Sequence, residues 1–232
     1  MTVAFERRFA AARPFGVCVG VTLPAAPPPE AEWPGALHRD ERIFARALSE
    51  GRRTAWIGGR LALRGALEAA GLQAPDAILA TDRGAPRLPP DAVGSISHKT
   101  ALAIAVAAPA RSPAVTIGVD VEEARPLRFD VADRVLTESE RAGLPAAGLA
   151  RDLLVLRAFC AKEAIYKALD PWVRRFVGFH EAEIVFTGGG LSARLALTRG
   201  EGPFAVELHD ASDLAGGGYF LIAATVARAG GG

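Results

Sequence analysis

The chain has 232 residues, half of them hydrophobic and 23% charged, with a formal net charge of +1. That length and apolar content bury the core of one large domain or two small ones and exclude a mainly disordered chain. A near-zero net charge gives no electrostatic case for nucleic acid, and no apolar run reaches the roughly 20 residues of a membrane helix, so neither a nucleic acid nor a membrane is an expected partner.

Arg7, Arg8 and Arg13 precede the apolar run Phe15–Leu23 in the faint outline of a secretory leader, but the Pro-rich Pro24–Pro29 stands where a cleavage site would be. The run is therefore read as a strand, and Pro24–Pro34 as a loop. Cys18 and Cys160 form neither a disulfide framework nor a CxxC pair, which makes a reducing cytoplasm the expected compartment. His38–Ser49 reads as a helix. Arg52–Ala70 reads as a second, with Trp56, Leu63 and Leu67 at helical spacing and Gly71 as its C-cap. Asp82–Pro90 is a turn-rich loop carrying Arg83 and Arg87. Ser95–Ala107 reads as one strand, with Leu102, Ile104 and Val106 on one face and alanines on the other, and Pro109–Pro113 breaks the chain.

Val115–Glu122 is the clearest strand. Val115, Ile117, Val119 and Val121 share one face, and Thr116, Gly118, Asp120 and Glu122 the other. Asp130–Leu136 reads as a short helix, and Thr137 and Glu140 have the spacing of a capping box for the next. Leu149–Leu169 is the longest helical pattern, with Leu149, Leu153, Leu156 and Cys160 on one stripe. Strands over Glu183–Thr187, Leu191–Leu197, Pro203–His209 and Tyr219–Arg228 precede a loose Ala-Gly tail. Helices precede strands in each half, so the order predicts two similar α+β halves, residues 1–114 and 115–232.

Four clusters carry chemistry, and each has a plainer reading. Asp120 and Glu122 project from one strand face beside the small Thr116 and Gly118, which suits a hard cation such as Mg²⁺; the plain alternative is a strand end with exposed, solvated acids. Of 27 basic residues only Lys99, Lys162 and Lys167 are lysines. Two of them flank Glu163 in a helix that is otherwise apolar, the kit for a metal-bridged phosphate, against a plain exposed i, i+4 pair. Ser97 and His98 point to opposite sides of an extended chain, so they are no hydrolase dyad, and His98 with Lys99 fits phosphate contacts or a structural role equally. Arg53, Arg60 and Arg64 lie on one helical stripe with Arg52 beside it and Arg83 downstream. Such forks grip phosphate or form a solvated basic face. There is no P-loop, GxGxxG or zinc spacing.

In order, these segments read GRRTAWIGGRLALRGAL, RGAPRLPPDAVGSISHK, IGVDVEEARP, LTESE and FCAKEAIYKAL. The string resembles the 4′-phosphopantetheinyl transferases, in particular the longer single-chain type that serves non-ribosomal peptide, polyketide and siderophore synthases. The resemblance implies an α+β pseudo-dimer acting as a monomer, with the active site in the cleft between its halves. It implies transfer of the phosphopantetheine arm of coenzyme A to a serine of an acyl or peptidyl carrier protein. It places Mg²⁺ on Asp120, Glu122 and Glu163, with Asp120, Glu163 and Lys167 catalytic. It assigns coenzyme A to Arg52, Arg60, Arg83, Ser97, His98, Lys162 and Lys167. Leu88, where the family often has Trp, and Lys99, where Cys is frequent, depart from its pattern. The rival readings are a Mg²⁺-dependent phosphoesterase built on the same acids and a carrier-docking module that has lost catalysis.

Overall fold

The computed structural model describes residues 5–111, 114–187 and 190–229. The chain divides into two compact units, Met1–Ala110 and Arg111–Gly232, each mixing helix and sheet, so the α+β class holds. The break expected at Pro109–Pro113 includes residues 112–113, and the expected tail falls on residues 230–232, both outside the described residues.

In the first unit, β1 (Arg7–Arg13), β2 (Gly16–Thr22), α1 (Arg39–Arg46), α2 (Glu50–Ala69), β3 (Ala92–Lys99) and β4 (Leu102–Pro109) follow in order. The strands make one antiparallel sheet in the order β1-β2-β4-β3. Alternation does the sorting. Val19 and Val21 of β2 and Ala103, Ala105 and Ala107 of β4 pack with Ile57, Leu63 and Leu67 of α2. The alanines keep that sheet face flat enough for a 20-residue helix to lie on it. At the end of α2, Gly71 adopts φ +73°, the left-handed terminator expected there.

Two expectations for this unit are corrected. Ser95–Ala107 is not one strand but the β3–β4 hairpin, turning at Thr100 (φ +36°) and Ala101. The turn escaped notice because Thr-Ala carries no Gly, Pro or Asn signal, and β4 is buried on both faces. Strand β1 was not foreseen at all; six of its seven residues are Arg or Ala, and it sits on the sheet edge.

In the second unit come β5 (Val115–Glu123), α3 (Ala132–Val135), α4 (Glu138–Ala142), α5 (Leu149–Val173), β6 (Ala182–Thr187), β7 (Gly190–Leu195), β8 (Phe204–Asp210) and β9 (Tyr219–Arg228). The sheets are β5-β9-β8 and the hairpin β6-β7. Thr137 and Glu140 form the expected capping box of α4. Helix α5 runs past Pro171 and stops at Arg174, whose φ is +49°. Its expected stripe is corrected in part: Leu149 is 54% exposed and Leu153 and Leu156 are half-buried, while Cys160 is fully buried together with Val155, Ala158, Ala161, Ile165 and Ala168. The close approach is local: Ala164 and Ala168 are the α5 residues whose backbone meets Gly118 of β5.

Candidate active site

Helix α5 lies directly on the Thr116–Gly118–Asp120–Glu122 face of β5. A Cβ on Gly118 would fall 1.9 Å from the Ala164 carbonyl oxygen and 2.6 Å from the Ala168 nitrogen. Only glycine therefore lets helix and strand backbones touch. One turn along, the Thr116 hydroxyl donates to the Ala168 carbonyl (2.6 Å) and accepts from Trp172 Nε1 (2.7 Å), which fixes the rotation of the helix. With that rotation set, Lys167 donates from Nζ to Asp120 Oδ1 (2.7 Å) and to the Val119 carbonyl (2.9 Å). Asp120 is 5% exposed and Glu122 9%, so the plain alternative of exposed, solvated acids does not hold: the strand face is roofed by a helix.

Glu163 stands one turn before Lys167 and is half-buried. Burial raises its pKa above the usual carboxylate range. The charge of Asp120 raises it further, Lys167 opposes, and Glu122 adds to the rise. Glu163 is thus within electrostatic reach of both strand acids, yet among the described residues it makes no hydrogen bond or ion pair. Beside it, burial pushes the Cys160 thiol up, and Asp120 and Glu122 push it the same way. Cys160 is an inert packing residue.

Among the described residues no three Asp, Glu, His or Cys side chains stand ready to enclose a metal. Mg²⁺ does not need such a cage, because one or two carboxylates serve it when phosphates and water complete the shell. The donor chemistry fits: oxygen ligands only, with Asp120 and Glu122 on alternate residues of a rigid strand and a third acid in electrostatic contact.

Lys162 does not belong to this cluster, and its assignment to coenzyme A is corrected. It is fully buried, and its Nζ donates to the Val135 carbonyl (2.8 Å), to Glu140 Oε2 (2.7 Å) and to the Phe179 carbonyl (2.8 Å). All three ammonium protons are thereby used. Glu140 also accepts from the backbone N–H groups of Thr137 and Ile184, tying α4 to β6.

The arginine stripe of α2 is likewise mostly internal. Arg53 donates to the Ala45 and Leu48 carbonyls at the end of α1. Arg64 binds the buried Glu41 (2.9 Å) and the carbonyls of Pro75 and Asp76. Neither is a solvated base. Arg60 is 6% exposed and donates from Nε to the Ile78 carbonyl (3.0 Å), while its guanidinium carbon lies 4.2 Å over the Trp56 ring. Arg52 is exposed on the first turn of α2, and Arg83 is exposed in its loop, with its backbone N–H on Thr81 Oγ1. Ser97 is buried and His98 exposed, on opposite sides of β3. The aromatic partner of Arg60 is the feature of this cluster that sequence reasoning missed. The spacing of Trp56 and Arg60, one helical turn apart, is the signal that was present.

Comparison with known proteins bears on both units. Residues 116–221 match the family model of the 4′-phosphopantetheinyl transferase superfamily, and residues 39–108 match that of the 4′-phosphopantetheinyl transferase N-terminal domain. The chain is 35% identical over 153 residues to 4′-phosphopantetheinyl transferase PptT of Mycobacterium tuberculosis, covering 65% of each chain. It is 40% identical over 148 residues to 4′-phosphopantetheinyl transferase Npt of Nocardia iowensis, covering 63% of this chain and 64% of that one. It is 35% identical over 136 residues to enterobactin synthase component D of Escherichia coli O157:H7, covering 58% and 62%. The matches thus span a little under two thirds of these relatives' own lengths.

Proposed function

The chain belongs to the 4′-phosphopantetheinyl transferase superfamily, and on that premise we propose that it transfers the phosphopantetheine arm of coenzyme A to a serine of an apo acyl or peptidyl carrier protein, releasing adenosine 3′,5′-bisphosphate. The observation that carries the reading is the meeting of Asp120, Glu122 and Glu163 with Lys167 where α5 crosses β5. One relative is named for enterobactin synthesis, and the reading takes a carrier of the non-ribosomal peptide, polyketide or siderophore kind. No described helix is long and apolar enough to cross a membrane, and the reading places the reaction in the cytoplasm with the protein as a monomer.

In this mechanism the serine hydroxyl attacks the β-phosphorus, the bond from that phosphorus to the bridging oxygen breaks, and the bisphosphate leaves. Either Glu163 or a water molecule takes the hydroxyl proton, because a carboxylate that also holds a divalent cation is a weak base. Lys167 has two of its three protons on Val119 and Asp120, leaving the third for a phosphate oxygen, where a pre-placed cation offsets developing charge. Asp120, Glu122 and Glu163 would hold Mg²⁺, which supplies Lewis-acid stabilisation of the diphosphate. Arg52, Arg60, Arg83, Ser97 and His98 are assigned to binding coenzyme A, so their loss raises KM more than it lowers kcat.

The test is incubation of the full chain with coenzyme A, Mg²⁺ and a panel of apo carrier proteins, with intact-mass detection. The mass of one phosphopantetheine added to a carrier supports the reading. Hydrolysis of coenzyme A with no modified carrier points to a phosphoesterase and overturns it, and binding of a carrier without either product points to a docking module.

A further inference from the structure

We propose that Trp56 is a positioning residue that holds the Arg60 guanidinium in the orientation in which it meets coenzyme A, an inference that rests on Arg60 being a coenzyme A contact. Trp56 lies between two partners. One of its faces carries the guanidinium carbon of Arg60 at 4.2 Å, and the ring also stacks with Phe44 of α1, centroids 5.1 Å apart and planes 27° from parallel.

Arg60 leaves most of its donors uncommitted. A guanidinium has five N–H groups. Arg60 commits one, Nε, to the Ile78 carbonyl, and among the described residues it makes no other hydrogen bond. The other four donors are not among the buried, unpartnered atoms, so this edge of the fork reaches solvent and is open to a ligand's oxygens. Burial does lower the Arg60 pKa, to about 10, which leaves it charged at neutral pH.

A side chain with such long reach also needs something to hold its plane. A carboxylate beside the fork would fix that plane only by consuming the donors. An aromatic face does it without consuming any, because the attraction acts through the flat face of the guanidinium while the N–H edge stays available to oxygen atoms. The Ile78 carbonyl fixes one corner of the plane and Trp56 fixes its tilt. Phe44, on a different helix, keeps the Trp56 ring from swinging toward solvent.

The test is calorimetric titration of the full chain with coenzyme A. Trp56→Leu is expected to weaken binding about 3- to 10-fold, the range of a lost cation–π contact at a partly desolvated site. Trp56→Phe keeps a ring face and is expected to retain affinity within about 2-fold. In an Arg60→Ala background, Trp56→Leu is expected to have no further effect, since nothing remains to be positioned. Phe44, 40% exposed, supplies a milder variant should Trp56→Leu not fold: Phe44→Ala is expected to weaken binding, again only while Arg60 is present. If Arg60→Ala weakens coenzyme A but both ring variants bind as the wild type does, the inference fails and the functional reading stands. It also fails if Trp56→Leu loses the same factor with and without Arg60, which marks a general packing defect. If Arg60→Ala itself binds coenzyme A normally, the ligand assignment of Arg60 fails first and the inference falls with it.

Discussion

Replacing Lys162 by Met separates two accounts of the same helix. A phosphate-binding lysine would leave stability alone and raise KM for coenzyme A. The structure assigns the opposite. Met preserves the methylene stem and removes three hydrogen bonds of 2.8, 2.7 and 2.8 Å from a fully buried site. Glu140 keeps the N–H donors of Thr137 and Ile184 but loses its counter-charge. Deleting one partner of a buried ion pair costs about 3–5 kcal/mol. For a chain of this size each kcal/mol moves the melting temperature by roughly 2–4 °C, so the loss amounts to roughly 6–20 °C. Because the chain has two units, the transition to follow is that of the unit carrying α5. The double variant Lys162→Met/Glu140→Gln, which removes the stranded charge as well, is expected to recover part of the loss. Thermal unfolding of the four proteins of this cycle, with KM for coenzyme A measured on each, decides the matter. An unchanged melting temperature together with a raised KM would refute the structural assignment of Lys162.

Gly118→Ala is expected to destabilise the second unit by about 3 kcal/mol or more, at or beyond the upper end of overpacking, because the added methyl meets helix backbone at 1.9 Å rather than a side chain that can rotate away; an unmoved urea midpoint would mean that α5 does not rest on β5. Asp120→Asn keeps an acceptor for Lys167 and removes the charge, so carrier loading is expected to fall about 100-fold or more while the melting temperature holds within a few degrees; normal turnover would withdraw the site assignment. Acid stability follows Arg175, which binds Glu181 and Glu201 through its guanidinium. Those hydrogen bonds hold Glu181 well below the usual range and Glu201 at about 2. Both folded values lie below the unfolded value near 4.5, so the contribution is complete above that pH and is lost as the pH falls from about 4.5 toward 2. Arg175→Met is expected to flatten that decline in melting temperature; parallel curves for the two proteins would contradict it.

Much of this was legible in the sequence, and the misreadings at the polar clusters share one cause. Strand β5 and the capping box at Thr137 and Glu140 follow from period-2 alternation and from local cap chemistry, which need no knowledge of the rest of the fold. The two corrections at the polar clusters, Lys162 and the arginines of α2, concern which way a charged side chain turns. That depends on partners 17 to 27 residues away for Lys162 and up to 23 away for Arg64. Yet the spacing within Lys162-Glu163-Ala-Ile-Tyr-Lys167 held a clue. At about 100° per residue, Glu163 and Lys167 lie roughly 40° apart, whereas Lys162 and Lys167 are separated by roughly 140°. Two lysines so placed cannot both meet one diphosphate, and the structure sends one to the acid strand and the other into the core. Gly118 teaches the converse. Read as room for a ligand beside the acids, it is room for the α5 backbone, and that close approach brings Glu163 and Lys167 over Asp120.

The contrast between Glu140 and Glu163 is what distinguishes a structural acid from a functional one here. Each sits beside a lysine, and each is drawn out of bulk water. Glu140 takes a lysine and two backbone N–H groups, so its charge is matched by donors the protein supplies. Glu163 takes none among the described residues, and the charges acting on it are two carboxylates and one ammonium, whose balance with burial raises its pKa. An acid held that way is less stable ionised than it would be in water. A folded protein gains nothing from such an arrangement by itself, and stability alone would favour a neutral side chain at position 163. A residue that binds a cation or accepts a proton during the reaction requires it. Glu163→Gln is therefore expected to leave the protein as stable as the wild type or more so, while abolishing carrier loading. A variant that both melts earlier and keeps its activity would show Glu163 to be a structural acid after all.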